Sequence, residues 1–149
     1  MKELQMEATT QHEIVVAVVT HLNKGEITDA IAGFADEIRF SDRGLQLKFT
    51  NRRRLSEFFR KTRELYPDSL MQTDRILVNG DYTAIQWTLR MTVTEPFYGG
   101  LPHTAPITVH GVSIVRTKDG RITEWTDYYD GPSSRRTALG AYFEEWVEL

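Results

Sequence analysis

The 149-residue chain has no cysteine and a net charge of −3. Its longest apolar run is Ile14–Val19. The missing cysteine excludes a disulfide framework and thiolate chemistry. The short apolar run excludes a membrane-spanning helix. The opening residues, MKELQMEATT, are polar and lack the apolar stretch of a secretory signal. The expected setting is therefore soluble and cytoplasmic. A mildly acidic balance provides no global field toward nucleic acid or anionic membrane, so neither is expected as a partner. The chain also lacks a GxSxG elbow, a phosphate-binding P-loop, a GxGxxG turn, and an HxH or HExxH pattern. Its four histidines, His12, His21, His103 and His110, stand without ligand spacing, so no metal and no cofactor is expected.

What is present is a core-forming composition, 40% hydrophobic, suited to one domain over residues 1–149 with its core at about 12–140. Ile14, Val15, Val18, Val19 and Leu22 recur at helical spacing, and Asn23-Lys24-Gly25 ends that helix. Ile27, Ala30, Ile31 and Phe34 mark a second helix closing near Ala35. Ile38–Phe40 reads as a short strand broken by Ser41-Asp42-Arg43-Gly44. Asn51 can cap a third helix with Leu55, Phe58, Phe59, Thr62 and Leu65 buried, and Pro67 stops it. The charges of that helix, Arg52-Arg53-Arg54, Arg60, Lys61 and Arg63, read as a solvated face.

The period then changes to two. Leu70–Val78 and Tyr82–Val93 flank Asn79-Gly80, a hairpin signal. A Pro/Gly-rich loop, Thr94–Pro106, contains Phe97 and His103. Gly111–Asp130 forms another hairpin around Lys118-Asp119-Gly120, and an amphipathic helix is expected at about 134–147. Helices grouped before a meander indicate an α+β architecture, in which a long antiparallel sheet curls around helices and leaves a cavity.

Alternation puts Ile85, Trp87, Leu89 and Met91 on one face and Trp125, Asp127 and Tyr129 on another shared face. A carboxylate among aromatics is paired, hydrogen-bonded or shifted in pKa, which makes Asp127 the first candidate for acid/base chemistry. Asp42 begins a turn, where a capping role competes with a functional one. His110 lies opposite to Gly111 and Ser113 by strict alternation, and a bulge at Gly111 would turn it inward as a further acid/base group. Val112, Ile114 and Tyr128 form an exposed apolar face that points to a homodimer.

Glu124-Trp125-Thr126-Asp127-Tyr128-Tyr129-Asp130, after Asp119-Gly120-Arg121-Ile122, resembles the closing hairpin of SnoaL-like proteins, of the nuclear transport factor 2-like superfamily. Phe34-Ala35-Asp36-Glu37, Leu65-Tyr66-Pro67-Asp68, Gln86-Trp87-Thr88-Leu89-Arg90, Pro96–Pro102 and Leu139-Gly140 resemble that family's further motifs in order. The resemblance implies a cone-shaped α+β fold. It also implies a polyketide-cyclase-like or isomerase-like enzyme for a small hydrophobic carbonyl compound. Asp127, Asp42 and His110 would be the catalytic groups. Phe40, Trp87, Leu89, Phe97, Ser113, Trp125 and Tyr129 would contact the substrate. A non-catalytic ligand-binding or interaction module on the same fold is the alternative. The resemblance extends to limonene epoxide hydrolase, but its Arg and Asp positions hold Trp87 and Leu89 here, or Gln86 and Thr88 in the other register. It extends to ketosteroid isomerase, but the oxyanion-stabilising positions hold Val18 and Ser113.

Overall fold

The computed structural model describes residues 2–93 and 105–129. Phe97, His103 and the helix expected at about 134–147 lie outside the described residues.

Helix α1 spans Lys2–Lys24, starting well before the apolar periodicity. It ends at Gly25, whose φ of 75° is left-handed. There Gly25 N–H donates to Leu22 O and Glu26 N–H to His21 O, which satisfies carbonyls the helix leaves open. Helix α2 spans only Ile27–Ala32, not to Ala35 as the periodicity suggests. The reason is tertiary: Gly33 O accepts from Ile122 N–H at 2.8 Å, which draws the following residues into a sheet. A Cβ on Gly33 would lie 2.8 Å from Val18, so this residue also lets α2 close onto α1.

Strand β1 is therefore long, Phe34–Asp42, and Asp42 is its last residue. Strand β2, Leu47–Asn51, is not expected from the sequence pattern; its side chains are largely exposed, and only Phe49 packs against the core. Helix α3, Arg52–Leu65, starts as expected, with Asn51 accepting from Arg54 N–H at 3.0 Å. Leu55 is fully buried, but Leu65 is 39% exposed and does not belong to the buried stripe. The basic face is also not uniformly solvated. Arg52 binds Phe34 O and Asp36, and Arg63 is partly buried.

Strands β3 (Leu70–Asn79), β4 (Tyr82–Val93), β5 (Ala105–Lys118) and β6 (Arg121–Tyr129) complete one curved sheet in the order β2-β1-β6-β5-β4-β3. At the β5–β6 turn Asp119 (φ 52°) and Gly120 (φ 77°) are both left-handed, the geometry of a tight two-residue hairpin. The sheet is not wholly antiparallel: β1 and β6 run parallel, with Phe34 opposite Ile122 and Asp42 opposite Asp127.

These two ends differ. Phe34 and Ile122 are buried in the core cluster with Val15, Val18, Leu55, Ile85 and Val115, all at most 2% exposed. Toward Asp42 and Asp127 the helices and sheet leave a cavity. No helix among the described residues is long and apolar enough to cross a membrane.

Candidate functional site

The cavity has a volume of about 220 Å³. Its walls come from α1 (Val19, Leu22), α3 (Phe58, Phe59), β4 (Trp87, Leu89, Met91), β5 (Ile107, Val109), β1 (Phe40, Asp42) and β6 (Trp125, Asp127, Tyr129). The lining is thus mainly apolar, with two carboxylates at one end. Trp87, Leu89, Trp125, Asp127 and Tyr129 meet there, on the faces that alternation assigns them, together with Phe40 and Asp42 from β1.

Asp127 is held by its neighbours. Ser113 on β5 is its register partner and donates Oγ–H to Asp127 Oδ1 at 2.5 Å. Trp125, two residues back on the same face, donates Nε1–H to the same oxygen at 2.6 Å. Ser113 itself receives Trp87 Nε1–H at 2.8 Å. Among the described residues no donor is bonded to Oδ2. Burial raises the Asp127 pKa from 3.8 to about 6, against the lowering effect of the Ser113 and Trp125 bonds; the negative charge of Asp42 adds to the rise.

Asp42 is 7% exposed. Its Oδ1 accepts Leu45 N–H at 2.8 Å and Tyr129 Oη–H at 2.7 Å. The first bond is the turn cap its position suggests. The second ties it to the cavity wall. Gly44 makes room for this arrangement, since a Cβ there would lie 2.1 Å from the Tyr129 ring.

Two assignments change. Ser113 is fully buried and is not among the residues lining the cavity; its bonds position Asp127 and Trp87. His110 stays outside. Pairing of β4 with β5 runs without a shift through Thr88–His110 and Trp87–Gly111, so the bulge that would turn it inward is absent. Instead its Nδ1 lies 3.1 Å from Thr88 Oγ1, whose hydroxyl donates to Asp74 at 2.6 Å, on the opposite face of the sheet from Trp87. Gly111 serves the packing of Trp87 instead. A Cβ there would lie 2.4 Å from the Trp87 ring, so glycine lets that indole lie flat on β5.

Asn23, Arg63, Tyr66 and Ser69 also line the cavity, where the sequence pattern does not place them, as does Thr62 from the expected buried stripe of α3. Asn23 exchanges two bonds of 2.8 Å with the backbone of Met71, which fixes the end of α1 against β3. Arg63 follows Phe59 by four residues, a spacing that puts both on one side of α3. Outside the cavity, His21, Glu26 and Asp29 bring their ligand atoms within 4.8 Å of one another at the α1–α2 junction, a grouping with donors a metal accepts.

Comparison with known proteins agrees with this fold. Residues 15–125 match the family model described as a SnoaL-like domain. A Catenulispora acidiphila protein with a ketosteroid isomerase-like fold, solved with trimethylamine, is 21% identical with a TM-score of 0.74, covering 85% of this chain and 92% of its own. IdmH of Streptomyces antibioticus, a candidate polyketide cyclase, is 18% identical with a TM-score of 0.75, covering 85% and 96%. An LEH-like epoxide hydrolase from M. tuberculosis is 21% identical with a TM-score of 0.72, covering 95% and 98%. At such identities the likeness is one of fold. No curated protein matches the chain.

Proposed function

The chain belongs to the SnoaL-like family, and from this premise we propose that it is an acid/base enzyme acting on a small, apolar carbonyl compound. Asp127 is the proton-transfer group. The observation that carries the reading is its setting: a carboxyl with pKa raised to about 6, bonded among the described residues on one oxygen only, facing an apolar cavity. A pKa near the working pH suits a group that must both take and return a proton.

In the proposed step, Asp127 Oδ2 takes a proton from the carbon next to a carbonyl. The C–H bond breaks, an O–H bond forms, and the electron pair passes into an enolate. In an isomerisation the proton returns at another carbon. In a ring closure the enolate carbon attacks a second carbonyl of the same molecule, and the resulting alkoxide takes the proton from Asp127. Neither route requires a metal or an organic cofactor. Asp42 is a second acid/base group or a polar anchor, oriented by Tyr129 and Leu45. Phe40, Trp87, Leu89, Trp125 and Tyr129 shape the pocket.

An epoxide-hydrolase reading is weaker. Such chemistry needs a charged pair on β4 to support water activation, and the cavity-facing positions there are Trp87, Leu89 and Met91. A carboxyl saturated by backbone amides in a cavity filled by side chains would favour a structural role; among the described residues Oδ2 of Asp127 has no donor and the cavity holds about 220 Å³, which supports the enzyme over that role.

The test uses 2-tetralone, an apolar ketone with acidic α-hydrogens. In deuterated buffer the protein should accelerate α-hydrogen exchange, read by NMR. Asp127→Asn should lower the rate by about 10²-fold or more while still binding the ketone. Equal rates for the two proteins would remove Asp127 from the reaction. Binding without any acceleration would favour the binding module.

We also propose a homodimer built on the outer sheet face. Tyr128 is 48% exposed there, beside the partly exposed Val112 and Ile114.

A further inference from the structure

We propose that Arg63 is a carboxylate anchor at the far side of the cavity from Asp127, so that the substrate is an apolar acid. This deepens the reading above and rests on it.

Arg63 lies in the last turn of α3, near Ser69, which leads into β3. Strand β3 is three places from β6 in the sheet, on the order of 14 Å along its surface at about 4.8 Å per strand. The cavity reaches from Asp127 to Arg63. Its carboxylates and its arginine therefore occupy separate poles, with apolar wall between them.

The guanidinium is fixed and incompletely used. Nη1–H donates to Ser69 O at 3.2 Å, and an atom at the Cβ position of Gly25 would lie 3.3 Å from Nε. Among the described residues no carboxylate oxygen lies within 4.0 Å of it. The nearby acids have other partners. Asp68 accepts both the hydroxyl and the backbone N–H of Thr92, bonds that hold its carboxyl below the usual range with a smaller contribution from Arg63. Glu64 pairs with Lys61 at 3.6 Å. The planar fork of Arg63 thus keeps N–H groups for an anion, the partner to which its geometry is suited.

A second observation concerns access. An outer depression is lined by Gly25, Ile27, Thr28, Arg60, Arg63 and Glu64. Ile27 and Arg63 belong to both this depression and the cavity. An arginine in the wall shared by an outer and an inner space meets an anion arriving from either side. Orientation then follows from charge. A ligand carboxylate is repelled by Asp42 and Asp127 and attracted by Arg63, which directs the opposite end of the molecule to Asp127.

The test is calorimetric titration at pH 7.5 with 3-(2-naphthyl)propanoate and its primary amide, which differ at the head group alone. The wild-type protein should bind the acid about tenfold or more tightly than the amide. Arg63→Gln should abolish this preference and leave the amide affinity within about twofold. Arg63→Lys, which keeps the charge without the fork, should reduce the preference. No preference in the wild-type protein, or an undiminished preference in either variant, overturns the anchor. The same titrations with Asp127→Asn separate the two proposals. The acid preference should survive in that variant even if α-hydrogen exchange proves independent of Asp127, and its absence leaves the exchange result untouched.

Discussion

Asp42 and Asp127 sit opposite each other on neighbouring parallel strands, and among the described residues each gathers its hydrogen bonds on a single carboxylate oxygen. Asp42 draws on a turn amide and a tyrosine; Asp127 draws on a serine and an indole. The two carboxyls are thus oriented by independent donors, and the charge of Asp42 makes ionisation of Asp127 harder.

The first prediction concerns stability. The folded pKa of Asp127 is raised from 3.8 to about 6, so the native state holds this proton more tightly than the unfolded chain does. This group's contribution therefore makes stability fall as pH rises from about 4 to about 6, and then level off. The ionised form costs on the order of 3 kcal/mol at neutral pH, at about 1.4 kcal/mol per tenfold change in the ionisation constant. Asp127→Asn retains an acceptor for Ser113 and Trp125 and removes the charge. The melting temperature of the variant relative to wild type should rise across pH 4–6.5. A constant difference across that window would contradict a raised pKa.

The second concerns rate. If ionised Asp127 is the base, tetralone exchange should increase with pH and reach half its plateau near pH 6. Ser113→Ala removes a bond that favours the ionised form, so the midpoint should move upward. The same variant leaves the Trp87 indole N–H without its partner, at a cost of about 1–3 kcal/mol in denaturant unfolding.

The third concerns Gly111. An added methyl would meet the Trp87 ring at 2.4 Å. Gly111→Ala should therefore displace the indole, lower stability by about 1–3 kcal/mol, and weaken tetralone binding. Chemical denaturation and calorimetry measure both. Unchanged values would show that Trp87 has room elsewhere.

The fourth concerns assembly. The protein should sediment as a dimer at micromolar concentration, and Ile114→Arg on the outer face should yield a folded monomer. A wild-type monomer under these conditions would contradict the proposed interface.

Local pattern carries much of this architecture. Alternation of Trp125, Asp127 and Tyr129 gives their common face, Asn51 marks the start of α3, and Asn79-Gly80 marks a hairpin. What local pattern does not encode is pairing between distant segments. The parallel match of β1 with β6 extends β1 at the expense of α2, and no periodicity near Phe34 announces it. The Tyr129–Asp42 bond joins residues 87 apart in sequence. Strand β2 is hard to read because it is five residues long and offers Leu47 and Phe49 with little burial. An inward turn of His110 requires a bulge, and the ladder is regular there. Arg63 is hidden among five other cations of the same helix, and spacing does not single it out, since Arg54 and Lys61 stand four and three residues from Phe58.

The parallel β1–β6 pair also bears on the order in which the molecule forms. The β3–β4 and β5–β6 hairpins close short loops, whereas Asp42 meets Asp127 only after nearly the whole intervening chain has been brought back on itself. Such long-range closure loses the most chain entropy and forms late. During synthesis, β1 has no β6 to pair with until the closing hairpin leaves the ribosome. The repulsion between the two carboxylates thus arises only at closure, when the surrounding core is already available to hold them together.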